Sequence, residues 1–294
     1  MEHIPVLAKE VIEYLDPKPN ENFIDATLGF GGHAALILEK TSPNGKLMGI
    51  DQDPVALGEA QKKLAPFDDR VFYYRGNFVD LGLVIRDWDV KNVDGILIDL
   101  GVSTYQLTDE NRGFSFNTDS FLDMRMDPER QHLTAADVIN KYSEKELSKI
   151  FFELGEEKFS RPIAKKIVEI RYRNPIERTI DLVEIIKTAT PPSYRIGKKT
   201  HFATNVFRAL RMYVNDELGV IKQILPQAVQ VVSPGGKIAV ITFHSLEDRI
   251  VKNFFRDQEN LEIVTKKPVG PSDEEVKINP KSRSAKLRVA RKII

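Results

Sequence analysis

The chain has 294 residues, 41% of them apolar and 29% charged, with 43 basic side chains balancing 43 acidic ones. That composition excludes a disordered or fibrous chain, and the length suits two domains or one enlarged domain. With no cysteine at all, a disulfide scaffold, a thiolate zinc site and a cysteine nucleophile are excluded together.

The first residues, Met1-Glu2-His3-Ile4-Pro5, carry neither a basic nor an apolar signal region. No apolar run approaches the roughly 20 residues that span a bilayer, so no membrane partner is expected and the expected location is the cytoplasm. Over the first hundred residues, short β-rich runs alternate with helical patterns. Residues 22–25, 46–51, 71–75 and 93–100 read as strands, the last almost continuously apolar and hence buried on both faces. Residues 34–39 and 54–64 read as helices, with Pro54 at a tolerated first position. Strands separated by such helices are crossover units of a parallel sheet.

From 134 to 189 the signals are helical only. Leu147, Ile150, Phe151 and Leu154 follow a Ser143…Glu146 capping box; Phe159, Ile163, Ile167 and Ile170 make a second stripe, and Leu182, Ile185, Ile186 and Ala189 a third. The α/β rhythm then returns, with a helix over 215–232 interrupted or restarted at Pro226, and strands at 237–243, 262–266 and 286–290. The predicted organisation is one discontinuous α/β domain, 1–106 with 205–294, and an inserted helical domain, 107–204.

Chemistry concentrates at strand ends. Asp25-Ala26-Thr27-Leu28-Gly29-Phe30-Gly31-Gly32-His33 joins the first strand to the first helix of the sheet, where glycines let a ligand approach the backbone. Asp51 ends the second strand, where an acid accepts ribose hydroxyls. Either a dinucleotide or S-adenosylmethionine fits that pair; Ala34 stands where the dinucleotide motif places its third glycine. Phe78, after the third strand, is an adenine wall or a core aromatic. Asp99 ends the fourth strand, where it meets a cationic ligand or caps a helix. Five scattered histidines give no compact metal-ligand set, so no metal is expected. Two stretches, 193–215 and 281–292, hold five and six Arg or Lys without an acid, a pattern of either a phosphate-binding patch or a solvated face.

A set of motifs is more specific. His3-Ile4-Pro5-Val6, Thr27-Leu28-Gly29 with Gly31-Gly32-His33, and Asp94-Gly95-Ile96-Leu97 with Asp99-Leu100-Gly101-Val102-Ser103 open it. Arg112-Gly113-Phe114-Ser115-Phe116, Leu122-Asp123-Met124-Arg125-Met126-Asp127 and Gly155-Glu156-Glu157 follow. Ala209-Leu210-Arg211, Val214-Asn215-Asp216-Glu217-Leu218, Phe243-His244-Ser245-Leu246-Glu247-Asp248-Arg249 and Arg283-Ser284-Ala285-Lys286-Leu287-Arg288 complete it. In this order, over essentially the whole chain, they resemble the bacterial 16S ribosomal RNA cytidine N4-methyltransferase family (RsmH, or MraW).

The resemblance implies a Rossmann-like class I methyltransferase sheet of seven strands with an inserted helical domain. It implies S-adenosylmethionine as methyl donor, S-adenosylhomocysteine as product, and the N4 amine of a decoding-centre cytidine in the small ribosomal subunit as target. By matching position it implies cofactor contacts from Gly31, Gly32, His33, Asp51, Phe78, Asp99 and Gln106. Phe202, Asn205 and Arg208 depart from the family, which often has Pro, Arg and Gln there.

The cytosine amine is a weak nucleophile that must be aligned with the methyl–sulfur bond and relieved of a proton. Candidate acceptors are Asp99, Ser103 and His244, besides backbone carbonyls. Tyr105, Phe114 and Phe116 are candidates to receive an unstacked base. Lys198, Lys199, Arg211 and Arg249 are candidate RNA contacts, with Arg195, Arg208, Arg283, Lys286 and Arg288 as further cations. The rival readings are a nicotinamide oxidoreductase and a non-catalytic RNA-binding protein.

Overall fold

The computed structural model describes residues 4–101, 109, 112–196 and 200–294. The chain divides into two compact units, Met1–Gly101 with Leu218–Ile294, and Val102–Glu217.

The first unit is built on seven strands: β1 (Phe23–Asp25), β2 (Leu47–Asp51), β3 (Val71–Arg75), β4 (Gly95–Asp99), β5 (Lys237–Thr242), β6 (Leu261–Ile263) and β7 (Lys286–Lys292). They form one sheet in the order β3-β2-β1-β4-β5-β7-β6. β3, β2, β1, β4 and β5 are parallel neighbours, while β7 runs antiparallel to both β5 and β6.

Alternation along the strands sends successive side chains to opposite faces. Ile24, Ile96, Ile98, Ile238 and Val240 join one core with α4 (Leu81–Val84), α11 (Glu217–Val231) and α12 (Ser245–Asp257). Phe23, Leu97, Ala239, Ile241 and Leu287 join the other, with α1 (Ala8–Leu15), α2 (Gly32–Lys40) and α3 (Pro54–Leu64). Burial on both faces is why the parallel strands read as continuous apolar runs. Pro54 begins α3 behind the Asp53 cap, whose side chain accepts the Val55 N–H at 3.0 Å. The expected break at Pro226 does not occur. Ile224, Leu225, Ala228 and Val229 are buried on either side of it, and that packing carries α11 through the proline.

The second unit contains α5 (Ala135–Lys141), α6 (Glu144–Glu153), α7 (Ser160–Arg171), α8 (Thr179–Ala189), α9 (Pro192–Arg195) and α10 (Thr204–Val214). The Ser143…Glu146 capping box forms as read, and a second, Thr134…Asp137, opens α5. All three expected stripes contribute to one core. Among the described residues this unit has no strand, only an isolated bridge between Phe121 and Arg178. It also runs past the expected boundary at 204, to Glu217. The reason is α10, whose Val206, Phe207, Ala209, Leu210 and Val214 are buried in the helical core rather than against the sheet. A short α13 (Asp273–Ile278) precedes β7 in the first unit. No helix among the described residues is long and apolar enough to cross a membrane.

Candidate cofactor site

In the sheet order, β1 and β4 lie side by side where the chain reverses its direction of winding, the position at which open α/β sheets bind ligands. Register places three acids there. Asp25 pairs with Gly49 and Leu97, and Asp51 and Asp99 stand one alternate position further along their strands. All three therefore project to the same face at the carboxyl edge.

Each has a distinct environment. Asp51 accepts the Gly29 N–H at 2.8 Å on one oxygen and the Asp53 N–H at 2.9 Å on the other. Burial outweighs those bonds and pushes its carboxyl up to about 6. Asp25 is 1% exposed and accepts the Thr27 N–H at 3.2 Å. Burial, reinforced by the charge of Asp51, pushes it up to about 7. Asp99 is pushed well above the carboxylate range by burial and then by the charges of Asp25 and Glu247. Its backbone N–H donates to Thr27 Oγ1 at 2.6 Å, Oδ2 lies 3.9 Å from His33 Nε2, and Oδ1 has no hydrogen-bond partner among the described residues. Asp25 was not among the candidates from sequence; the available signal was an acid immediately ahead of the glycine turn on β1.

The glycines divide by role. At Gly29, φ 52°, a Cβ would meet only the Thr27 carbonyl, 3.9 Å away, so a ligand can approach its backbone. At Gly31, φ 73°, a Cβ would lie 3.1 Å from Leu64; at Gly32 it would lie 3.2 Å from Pro5. Packing thus favours glycine at 31 and 32, in addition to any ligand. Gly32 and His33 open α2, whose leading N–H groups have no partner within the helix. Phe78 starts a short turn capped by Asn77 and is partly buried against the core, so the two readings of this ring coexist. Gln106 and Ser103 lie outside the described residues, as do Tyr105, Lys198 and Lys199.

His244 caps α12. Its Nδ1 accepts the Glu247 N–H at 3.4 Å, and Glu247, 1% exposed, accepts the Phe243 and His244 N–H groups in return. The His244 Nε2 lies 3.2 Å from Glu247 Oε1.

Several cations read as RNA contacts are committed elsewhere. Arg288 is 7% exposed and binds Asp248 through two hydrogen bonds, 2.6 and 3.1 Å long, with Lys286 3.7 Å from the same carboxylate. Arg211 grips Glu217 at 2.7 and 2.9 Å. Arg208 donates to the Gly155 carbonyl and Asn205 to Glu157, so two of the three family departures hold the Gly155-Glu156-Glu157 turn. Arg249 and Arg283 are exposed. Phe114 is buried in the helical core and is not open to a base, whereas Phe116 is half-buried and stacks on His201 at 4.6 Å.

A doubly wound seven-stranded sheet with one antiparallel strand, with three acids at the β1–β4 switch point, has a Rossmann-like topology. The comparisons narrow this. Residues 1–293 match the MraW methylase family, and the chain belongs to it. It is 47% identical to a ribosomal RNA small subunit methyltransferase H from Heliobacterium mobile, covering 99% of each chain. It is 51% identical to the protein of that name from Thermotoga neapolitana, covering 98% of this chain and 95% of the relative. A third, from Sulfurihydrogenibium, is 50% identical with both chains fully covered.

Proposed function

We propose that this protein transfers the methyl group of S-adenosylmethionine to the N4 amine of a decoding-centre cytidine in 16S ribosomal RNA, in the cytoplasm. The observation that carries the cofactor reading is the row of acids at the switch point. Asp51, already oriented by Gly29, has lone pairs left for a ribose, and Asp99 keeps an oxygen without a hydrogen-bond partner among the described residues, where a cation is welcome. Phe78 supplies an aromatic wall, and Gly31, Gly32, His33 and Gln106 complete the set that the family resemblance implies. The bound cofactor supplies an activated methyl group. The small-subunit target follows from the names of the relatives.

The protein's own part is to hold the amine in line and to accept its proton. Of the named acceptors, His244 has its Nδ1 engaged as a helix cap; we assign the acceptor role to Asp99, held ionised by the bound cationic cofactor. We assign RNA recognition to the helical unit, with Lys198, Lys199 and the exposed Arg249 on phosphates and Arg211, held by Glu217, as a weaker candidate.

The test is mass spectrometry of digested 16S ribosomal RNA from cells lacking the protein. N4-methylcytidine should disappear from the decoding centre and return with the gene. Loss of a different methylated nucleoside would overturn the cytidine assignment. Replacing Lys198 and Lys199 together by Ala should flatten the salt dependence of RNA binding by about one to two units; an unchanged slope would remove both from the RNA path.

A further inference from the structure

The segment ahead of α1, Ile4 to Leu7, belongs to the first sequence motif, and the cofactor reading gives it no role. It is firmly placed. Val6 and Leu7 are buried in the core shared with α2, and Leu7 holds a left-handed backbone, φ 54°, that a side chain of its kind rarely adopts. The Pro5 ring lies against Gly32, 3.2 Å from where a Cβ would stand, so this strap backs the first residue of α2.

Two hydrogen bonds tie the strap to α13. The Leu7 N–H donates to Glu275 Oε1 at 2.8 Å, and Asn279 Nδ2 donates to the Ile4 carbonyl at 3.3 Å. α13 has six residues, none buried, and is capped by Ser272, whose Oγ accepts the Glu275 N–H at 3.1 Å. A helix that buries nothing is not placed to fill a core. The two side chains of this segment that bond to distant backbone both reach the strap.

We propose that Glu275 and Asn279 are positioning residues for the cofactor: they latch the strap, and the strap, through Pro5, sets the leading turn of α2 against which the cofactor binds. This rests on the cofactor reading above. Without the latch, Leu7 is free to leave its left-handed conformation, Pro5 withdraws from Gly32, and binding must order the turn again. The chemistry is untouched, so the effect falls on cofactor affinity and not on turnover at saturation.

Calorimetry with S-adenosylmethionine and steady-state kinetics on full-length protein test this. Glu275→Ala should raise Kd and KM for the cofactor together, by about five-fold for one lost hydrogen bond, with kcat retained. Glu275→Gln keeps an oxygen acceptor and should rescue both, a result that general loosening of the fold would not produce. Asn279→Ala should act in the same direction, more weakly. Pro5→Gly, which takes the ring away from Gly32, should raise Kd and KM in the same way with kcat retained, and carries the test if Glu275→Ala does not fold. Wild-type affinity in Glu275→Ala, or a fall in kcat matching that in kcat/KM, overturns the latch. Failure of the wild type to bind S-adenosylmethionine overturns the cofactor reading itself, and the latch with it.

Discussion

The Gly29 N–H donates to Asp51 Oδ2 at 2.8 Å, so the glycine turn and the acid at the end of β2 are one piece of structure. The bond aims the carboxylate before any ligand arrives, and the second oxygen is steadied by Asp53. Asp51→Ala should therefore weaken cofactor binding by roughly 1–3 kcal/mol, the scale of a lost charge-assisted pair. Unchanged affinity by calorimetry would sink the ribose assignment.

The buried acids make stability depend on pH with a definite sign. Asp25 rises from 3.8 to about 7 on folding and Asp51 from 3.8 to about 6. Between those values the unfolded chain has released protons that the native state keeps, so stability falls as pH rises. Through these two acids the ligand-free protein should lose thermal stability from about pH 4 to about pH 7. Asp25→Asn, which cannot ionise, should flatten much of that slope in a melting series. Binding of the cationic cofactor favours the ionised acids, so its affinity should rise through the same window; a flat affinity would disconnect these carboxylates from the ligand.

Arg288 and Arg249 separate folding from recognition. Burial pushes Asp248 up, but Arg288 and Lys286 more than offset it and hold the carboxyl below its ordinary value. Arg288→Ala leaves Asp248 largely buried beside β7 without its principal partner and should cost about 3–5 kcal/mol in chemical denaturation. Its effect on the RNA salt slope should be nil. The exposed Arg249 should behave the opposite way: Arg249→Ala leaves stability within about 0.5 kcal/mol and lowers the slope by about one. Equal behaviour of the two variants would refute the division.

Glu157 is the corresponding buried charge of the helical unit. Fully buried, it accepts hydrogen bonds from Tyr194 Oη at 2.5 Å, Phe159 N at 2.8 Å and Asn205 Nδ2 at 3.2 Å. Glu157→Ala removes the acceptor these donors share and should destabilise the protein by about 3 kcal/mol or more. Glu157→Gln, which still accepts, should cost less than half of that. A denaturation midpoint unmoved by Glu157→Ala would show that water satisfies those donors.

What the sequence determined by itself was local. Continuous apolar runs gave β4 and β5, a cap with proline gave the start of α3, and a Ser…Glu pair opened α6, because each element is signalled by residues within a few positions of one another. The acids at 51 and 99 were legible for the same reason, each ending its own strand. Only the tertiary structure decided which charges are free. Arg288 looked like part of a basic tail until folding brought Asp248 to it from 40 residues away. It also decided that Gly31 and Gly32 answer to Leu64 and Pro5, and that α10 belongs to the helical core. Burial and pairing across the chain depend on three-dimensional neighbours, and no local spacing records who those neighbours are.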